Sequence, residues 1–357
     1  MSETVFRSHQ VTAGYGKTRN RHLSLTIILN WVQINYVPPT LRKHFSRLIA
    51  LPAVLLLLGA CAVTRVAPQS NDFDDPSLTV ATSIYPITFA TKMIAGTDAE
   101  VTPLLPEGAD AHHGEISLRQ LRQLREADLV IYLSGFQPAV DQAIAANPPP
   151  HIIDIGDLIE LRTYEDAHDH SDEDPEDDHG HDHGEGTLDP HFWLNPENMA
   201  TVTDAVTHEL GVLDEQNAEG YAERGHELSD DFREIAADYE RELSQCARDT
   251  IVVSHAAFSY LTEPHGISQL GISGLDPDSE PSLVRIREVR DAVKEQDITT
   301  IFYESPTNPY VAEKVADSLG LTTALLDPLE YQIDPETDFL ESMRNNLDVL
   351  TTALDCQ

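Results

Sequence analysis

From residue 78 onward, short β-branched or apolar runs alternate with stretches whose apolar residues recur three or four apart. That alternation admits few folds. Residues 78–84 (Leu-Thr-Val-Ala-Thr-Ser-Ile) read as a strand and 89–94 as part of a helix. Residues 116–126 place Ile116, Leu118, Leu121 and Leu124 at helical spacing, and 127–133 form a buried strand run. The pattern returns in the second half at 250–254, 298–303 and 322–326. Strands alternating with helices predict an α/β chain whose mainly parallel sheets are wrapped by helices. Two such halves, 78–213 and 248–357, flank a helical stretch at 214–247. Its apolar positions include Tyr221, Leu228, Phe232, Ile235, Tyr239 and Leu243. Gly220 and Gly225 weaken its start, so the firm helix is predicted from about residue 228. A helix of this length makes a stiff connector.

Charge divides the chain at Cys61. Residues 1–60 carry seven basic residues and one acidic residue, a net of +6. The remainder carries sixteen basic and sixty acidic residues, a net of −44 within the −38 of the whole chain. So acidic a chain offers no nucleic-acid surface, which requires clustered Lys and Arg. Arg42, Lys43 and Arg47 precede a short apolar run and then Leu58-Gly-Ala-Cys61. A basic segment, an apolar segment and small residues make an export signal at 41–60, too short for a mature membrane span. Its end resembles a bacterial lipobox, so Cys61 is the expected lipidation site and 61–77 a flexible tether. Residues 1–40 fit neither signal nor domain and read as an N-terminal extension. The expected location is the outer side of the cytoplasmic membrane. Export also permits Cys246 and Cys356 to pair, although two buried free thiols are equally compatible with the sequence.

A segment of different composition interrupts the first half. Residues 165–185 hold eleven acidic residues and five histidines (His168, His170, His179, His181 and His183) with almost no apolar content. Such a composition buries no core, so 165–187 is expected to be a disordered loop. Its imidazoles and carboxylates suit weak, rapid binding of borderline metals such as Zn²⁺.

Four further segments place a ligating side chain after a strand or in a turn. They are Pro106-Glu-Gly-Ala-Asp-Ala-His112-His113-Gly-Glu115, Leu188-Asp-Pro-His191-Phe-Trp-Leu-Asn-Pro196, Ile251-Val-Val-Ser-His255 and Leu325-Leu-Asp327-Pro328. Open α/β sheets bind ligands outside the carboxyl ends of their strands, so the placements are chemically sensible. Together these segments resemble the zinc- and manganese-binding lipoproteins of ABC importers, the cluster A-I or high-affinity zinc uptake type, over residues 78–352. Asp189-Pro-His-Phe-Trp-Leu-Asn-Pro196 is similar to that family's most specific signature, D-P-H-x-W-L-(D/N)-P. Gly108-Ala-Asp-Ala-His112 with Glu115, the Val252–Tyr260 segment and Ile301-Phe-Tyr-Glu304 resemble three more of its segments, and the acidic insert resembles that of zinc-specific members.

The resemblance implies two pseudo-symmetric lobes joined by a long rigid helix, with metal in the cleft. His112, His191 and His255 would be imidazole ligands, and either Asp327 or a water the fourth. Ala111 departs from the family's proline and His113 follows directly, but Glu115 keeps the family spacing from His112. Glu304 is expected either to accept a histidine N–H behind the metal or to end its strand structurally. Three imidazoles with at most one carboxylate suit Zn²⁺ better than Mn²⁺, which prefers oxygen. The expected function is capture, not catalysis: a monomeric zinc-binding component delivering Zn²⁺ to a membrane permease and its ATPase. A manganese or iron component, and an adhesin or zinc buffer on the same fold, are the alternatives.

Overall fold

The computed structural model describes residues 78–106, 108–164, 187–279, 281–304 and 309–357. Cys61, the export signal and the five loop histidines lie outside them. The first half runs β1 (Leu78–Thr82), α1 (Tyr85–Ala95), β2 (Ala99–Pro103), α2 (Leu118–Glu126), β3 (Leu129–Tyr132), α3 (Pro138–Ala146) and β4 (His151–Asp154). A two-stranded antiparallel ribbon, β5 (Thr163–Tyr164) with β6 (Thr187–Leu188), then leads to α4 (Pro196–Leu213) and α5 (Ala218–Glu242). The second half runs β7 (Thr250–Val253), α6 (Ser259–Thr262), β8 (Ser268–Gly271), α7 (Leu283–Glu295), β9 (Thr300–Tyr303), α8 (Tyr310–Leu319), β10 (Thr322–Leu325) and α9 (Phe339–Leu354).

Both halves build the same sheet. The orders are β2-β1-β3-β4 and β8-β7-β9-β10, and every pairing in the two is parallel. In each, the second strand lies on one side of the first and the third on the other, so a crevice opens at the strands' carboxyl ends. Side chains on successive strand residues point to opposite faces. Val80, Leu129, Ile131, Ile251, Val253 and Phe302 therefore enter a core shared by both lobes. Ala81 and Val130 face a separate core with Leu124 and Val140, and Val252 and Ile301 face another with Val289 and Ala316. Helices thus cover both faces of each sheet, as parallel sheets require.

Local chemistry agrees with these boundaries. Ser117 and Gln120 form a reciprocal capping box at the start of α2, and Ser282 and Asp338 cap α7 and α9. The Pro196 ring occupies the first turn of α4 behind the Asn195 cap. Cys246, just beyond α5, is disulfide-bonded to Cys356, closing a span of 110 residues that contains the whole second lobe.

The connecting helix differs from the sequence expectation. It begins at Ala218, ahead of Leu228, and both weakening glycines lie inside it. Tertiary packing explains Gly225: a Cβ there would lie 1.9 Å from Thr207 Oγ1 on the adjoining α4. The glycine thus lets two long helices approach closely, and burial outweighs its poor helix propensity. Asp214 secures the start by accepting from Asn217 Nδ2 at 2.7 Å and Tyr221 Oη at 2.9 Å. Gly225→Ala is expected to lower stability by about 1–3 kcal/mol through overpacking. Adding Thr207→Ala, which removes Oγ1 and Cγ2 but leaves Cβ 2.8 Å away, should recover part of it; additive losses in denaturant unfolding would refute this contact as the cause.

Candidate metal centre

Three of the four sequence segments bring a histidine to the centre from different elements. His112 lies in the loop after β2, His191 opens the turn after β6, and His255 follows the end of β7 by two residues. The fourth position differs from expectation. Among the described residues, the ligating group gathered with the three histidines is Glu330, with all four donor atoms within 4.8 Å of one another. Glu330 Oε1 lies 3.4 Å from His112 Nε2, 3.6 Å from His191 Nε2 and 3.5 Å from His255 Nε2. The Nε2 atoms of His191 and His255 are 3.4 Å apart. A tetrahedron with metal–ligand bonds of about 2.0–2.1 Å has edges of about 3.3–3.4 Å, so these spacings suit one small tetrahedral cation.

Asp327 is occupied elsewhere. Its Oδ1 accepts the Leu329 N–H at 2.8 Å, while Asn346 holds its backbone N–H and carbonyl at 2.8 and 2.7 Å. The turn it builds places Leu329 in the left-handed region at φ 59°, a conformation costing about 1–2 kcal/mol for a non-glycine residue. That turn swings Glu330 toward the histidines. From the first lobe, Trp193 Nε1 donates to the Pro328 carbonyl at 2.8 Å and holds the same turn in place. No motif marked Glu330 in the sequence. The available hint was a single acid two residues beyond an Asp-Pro pair at a strand's carboxyl end.

Two further carboxylates set the ring orientations. His191 Nδ1 donates to Asp189 Oδ1 at 2.7 Å, and the His191 N–H donates to the same oxygen at 3.0 Å. His255 Nδ1 donates to Glu304 Oε2, and its backbone N–H donates to Glu304 Oε1 at 2.7 Å. Glu304 therefore holds both the ring and the backbone of His255. With each Nδ1–H so engaged, the Nε2 lone pair of a neutral ring is directed into the centre. Phe136 packs edge-on to His112, and Trp193 against His191, at ring separations of 5.0 and 5.2 Å. His113, weighed as an alternative to His112, is exposed, with Nδ1 3.3 Å from Asp110 and Nε2 3.6 Å from Asp276.

Burial works against ionising Glu330, but the three imidazoles and the charge on His255 hold its carboxyl well below the ordinary range. Burial also disfavours the imidazolium of His255, yet Glu304 and Glu330 overcome it and raise the group to about 10. The same opposition, resolved by Asp189 and Glu330, raises His191. Asp327 is pushed up to about 7 by burial and by the nearby Glu330 charge, against the Leu329 N–H. Without metal, the carboxylates of Glu304 and Glu330 favour the protonated form of His255, and Asp189 and Glu330 that of His191.

Two helix-wrapped sheets of one topology, meeting over a buried cluster of three imidazoles and a carboxylate, make the arrangement of a two-lobed solute-binding protein. Residues 80–353 match the zinc-uptake complex component A, periplasmic family, and the chain belongs to that family. It is 28% identical over 312 residues to the zinc-binding lipoprotein AdcA of Streptococcus pneumoniae, covering 84% of this chain and 60% of that protein. The chain therefore spans about three fifths of that relative's length. It is 26% identical over 317 residues to the high-affinity zinc uptake system protein ZnuA of Bacillus subtilis, covering 87% of this chain and 98% of the relative. The structure of the laminin-binding protein Lmb of Streptococcus agalactiae, described as a bifunctional protein with adhesin and metal-transporting activity, superposes with a TM-score of 0.66. That match has 28% identity and covers 78% of this chain and 99% of Lmb.

The raised His255 group carries a sign. An imidazole near 6.5 in the unfolded chain and about 10 when folded adds stability that is full below pH 6.5 and lost as pH rises through 10. In chelator, the melting temperature should fall across that window. Glu304→Gln should flatten the fall; equal slopes in the two proteins would contradict the pairing.

Proposed function

We propose that this chain captures Zn²⁺ outside the cytoplasm and delivers it to a membrane permease driven by an ATPase, as a monomer anchored through Cys61. The carrying observation is the convergence of three Nε2 atoms on one carboxylate oxygen at 3.4–3.6 Å. His112, His191, His255 and Glu330 would be the ligands, with Glu304 and Asp189 orienting two rings. The zinc-binding and zinc-uptake names of the relatives support this reading. Three imidazoles and one carboxylate favour Zn²⁺ over Mn²⁺, whose preference is for oxygen. Four protein donors also fill a tetrahedron, leaving no open position for the activated water of a zinc hydrolase. No helix among the described residues is long and apolar enough to cross a membrane. The loop histidines His168, His170, His179, His181 and His183 would add weak metal binding around the tight site.

Zinc must displace protons from rings whose basicity is raised. An unperturbed imidazole titrates near about pH 6.5 and would compete for zinc only below it. With His255 raised to about 10, the competition begins above neutrality. Calorimetric titration of the chain with Zn²⁺ should show one tight site that Mn²⁺ does not displace, with protons released to buffer at pH 7. His255→Ala should abolish that site and Glu330→Gln should weaken it by at least about tenfold, the size typical even of changes behind the ligands. Asp327→Asn should leave it nearly intact. Loss of the tight site in Asp327→Asn with retention in Glu330→Gln would restore Asp327 as the ligand. Manganese binding of equal strength would overturn the choice of metal.

A further inference from the structure

Beneath the cluster, the lobes are joined by polar groups that the ligand set does not account for. Asp189 is buried, and its two carboxylate oxygens do different work. Oδ1 accepts from the ring and backbone of His191, while Oδ2 accepts from the hydroxyl of Ser259, at the start of α6 in the opposite lobe. Ser259 is itself buried. The next residue repeats the connection through the backbone: Tyr260 Oη donates to the Asp189 carbonyl at 3.1 Å and accepts the Arg162 N–H at 2.7 Å. Arg162 lies over the Tyr260 ring at 5.1 Å and pairs with Glu263. Second-lobe residues 259–263 thus grip the ribbon end that carries His191.

We infer that Ser259 is a positioning residue for metal binding, setting the His191 ring through Asp189 from across the lobe boundary. This inference rests on the zinc reading above. A carboxylate buried with one oxygen unpaired carries a desolvation cost and is free to rotate toward another donor. Ser259 removes that freedom: with Oδ2 held, Oδ1 has one direction in which to meet His191 Nδ1. The Nε2 of His191 then faces Glu330 and His255. Because the hydroxyl belongs to the second lobe and the carboxylate to the first, drawing the lobes apart would loosen a ligand as well as widen the space between them. Release of metal and separation of the lobes would therefore share one hydrogen bond.

The test uses the full chain, with zinc affinity read by competition against a chromogenic chelator strong enough to silence weak loop binding. Proton NMR reads the Nδ1–H resonance of His191, moved downfield by its bond to Asp189. Ser259→Ala should weaken zinc about tenfold, the order expected for a partner behind a metal ligand. It should also shift the His191 resonance while leaving that of His255 in place. Ser259→Thr, which keeps the hydroxyl, should restore both. Unchanged affinity, a weakening that Thr does not rescue, or an unmoved His191 resonance in Ser259→Ala would each overturn the inference. Failure of the unsubstituted protein to compete with the chelator would instead overturn the zinc reading, and the His191 resonance would still judge the role of Ser259.

Discussion

Three imidazole nitrogens and a carboxylate oxygen stand within 4.8 Å of one another in a largely buried place, and the surrounding structure is arranged around that cost. Buried polar groups must be paired or ligated to be tolerated. Here the pairing extends outward in layers: the rings of His191 and His255 rest on Asp189 and Glu304, and Asp189 in turn rests on Ser259. Without metal, the carboxylates favour protonation of the His191 and His255 rings. With metal, the same Nε2 atoms would exchange protons for a cation, and the Nδ1 contacts would survive the exchange. The rings therefore have little to reorganise when metal arrives.

The lobes meet through more than apolar surface. A core containing residues of both sheets continues from one lobe to the other along α4, α5 and α9. Phe339 at the start of α9 packs on Tyr85 and Phe89 of α1 and on Phe232 of α5. Near the centre the contacts become directional. Trp193 of the first lobe holds the turn carrying Glu330, and Ser259 and Tyr260 of the second hold the segment carrying His191. Each lobe thus orients a donor presented by the other, a reciprocity that follows from placing a buried polar site between two domains.

Several residues of the cluster stood out in the sequence because of where they fall relative to strands and family segments. His255 could be found because a strand's end on a parallel sheet faces the crevice, and His191 because it stands in a specific signature next to the aspartate that orients it. Glu304 could be anticipated for the same strand-end reason. Glu330 could not, since its placement depends on a turn whose shape comes from the carboxylate of Asp327, the side chain of Asn346 and the indole of Trp193. The family resemblance pointed to Asp327 or a water for this position. In the structure that aspartate is occupied in presenting its neighbour.

The start of α5 teaches the same distinction. Propensity argued that Gly225 would delay the helix, but its bare Cα is where α4 and α5 come closest. Short apolar strand runs and helical spacing are short-range features, so the α/β alternation follows from the sequence by itself, whereas His112, His191 and His255 were marked by the family resemblance of their segments. Which acid completes the cluster, and which hydroxyl steadies His191, depends on residues from 70 to more than 200 positions apart being brought together. Only packing of one lobe against the other decides such contacts, because side chains that far apart meet through the fold and not through any local periodicity.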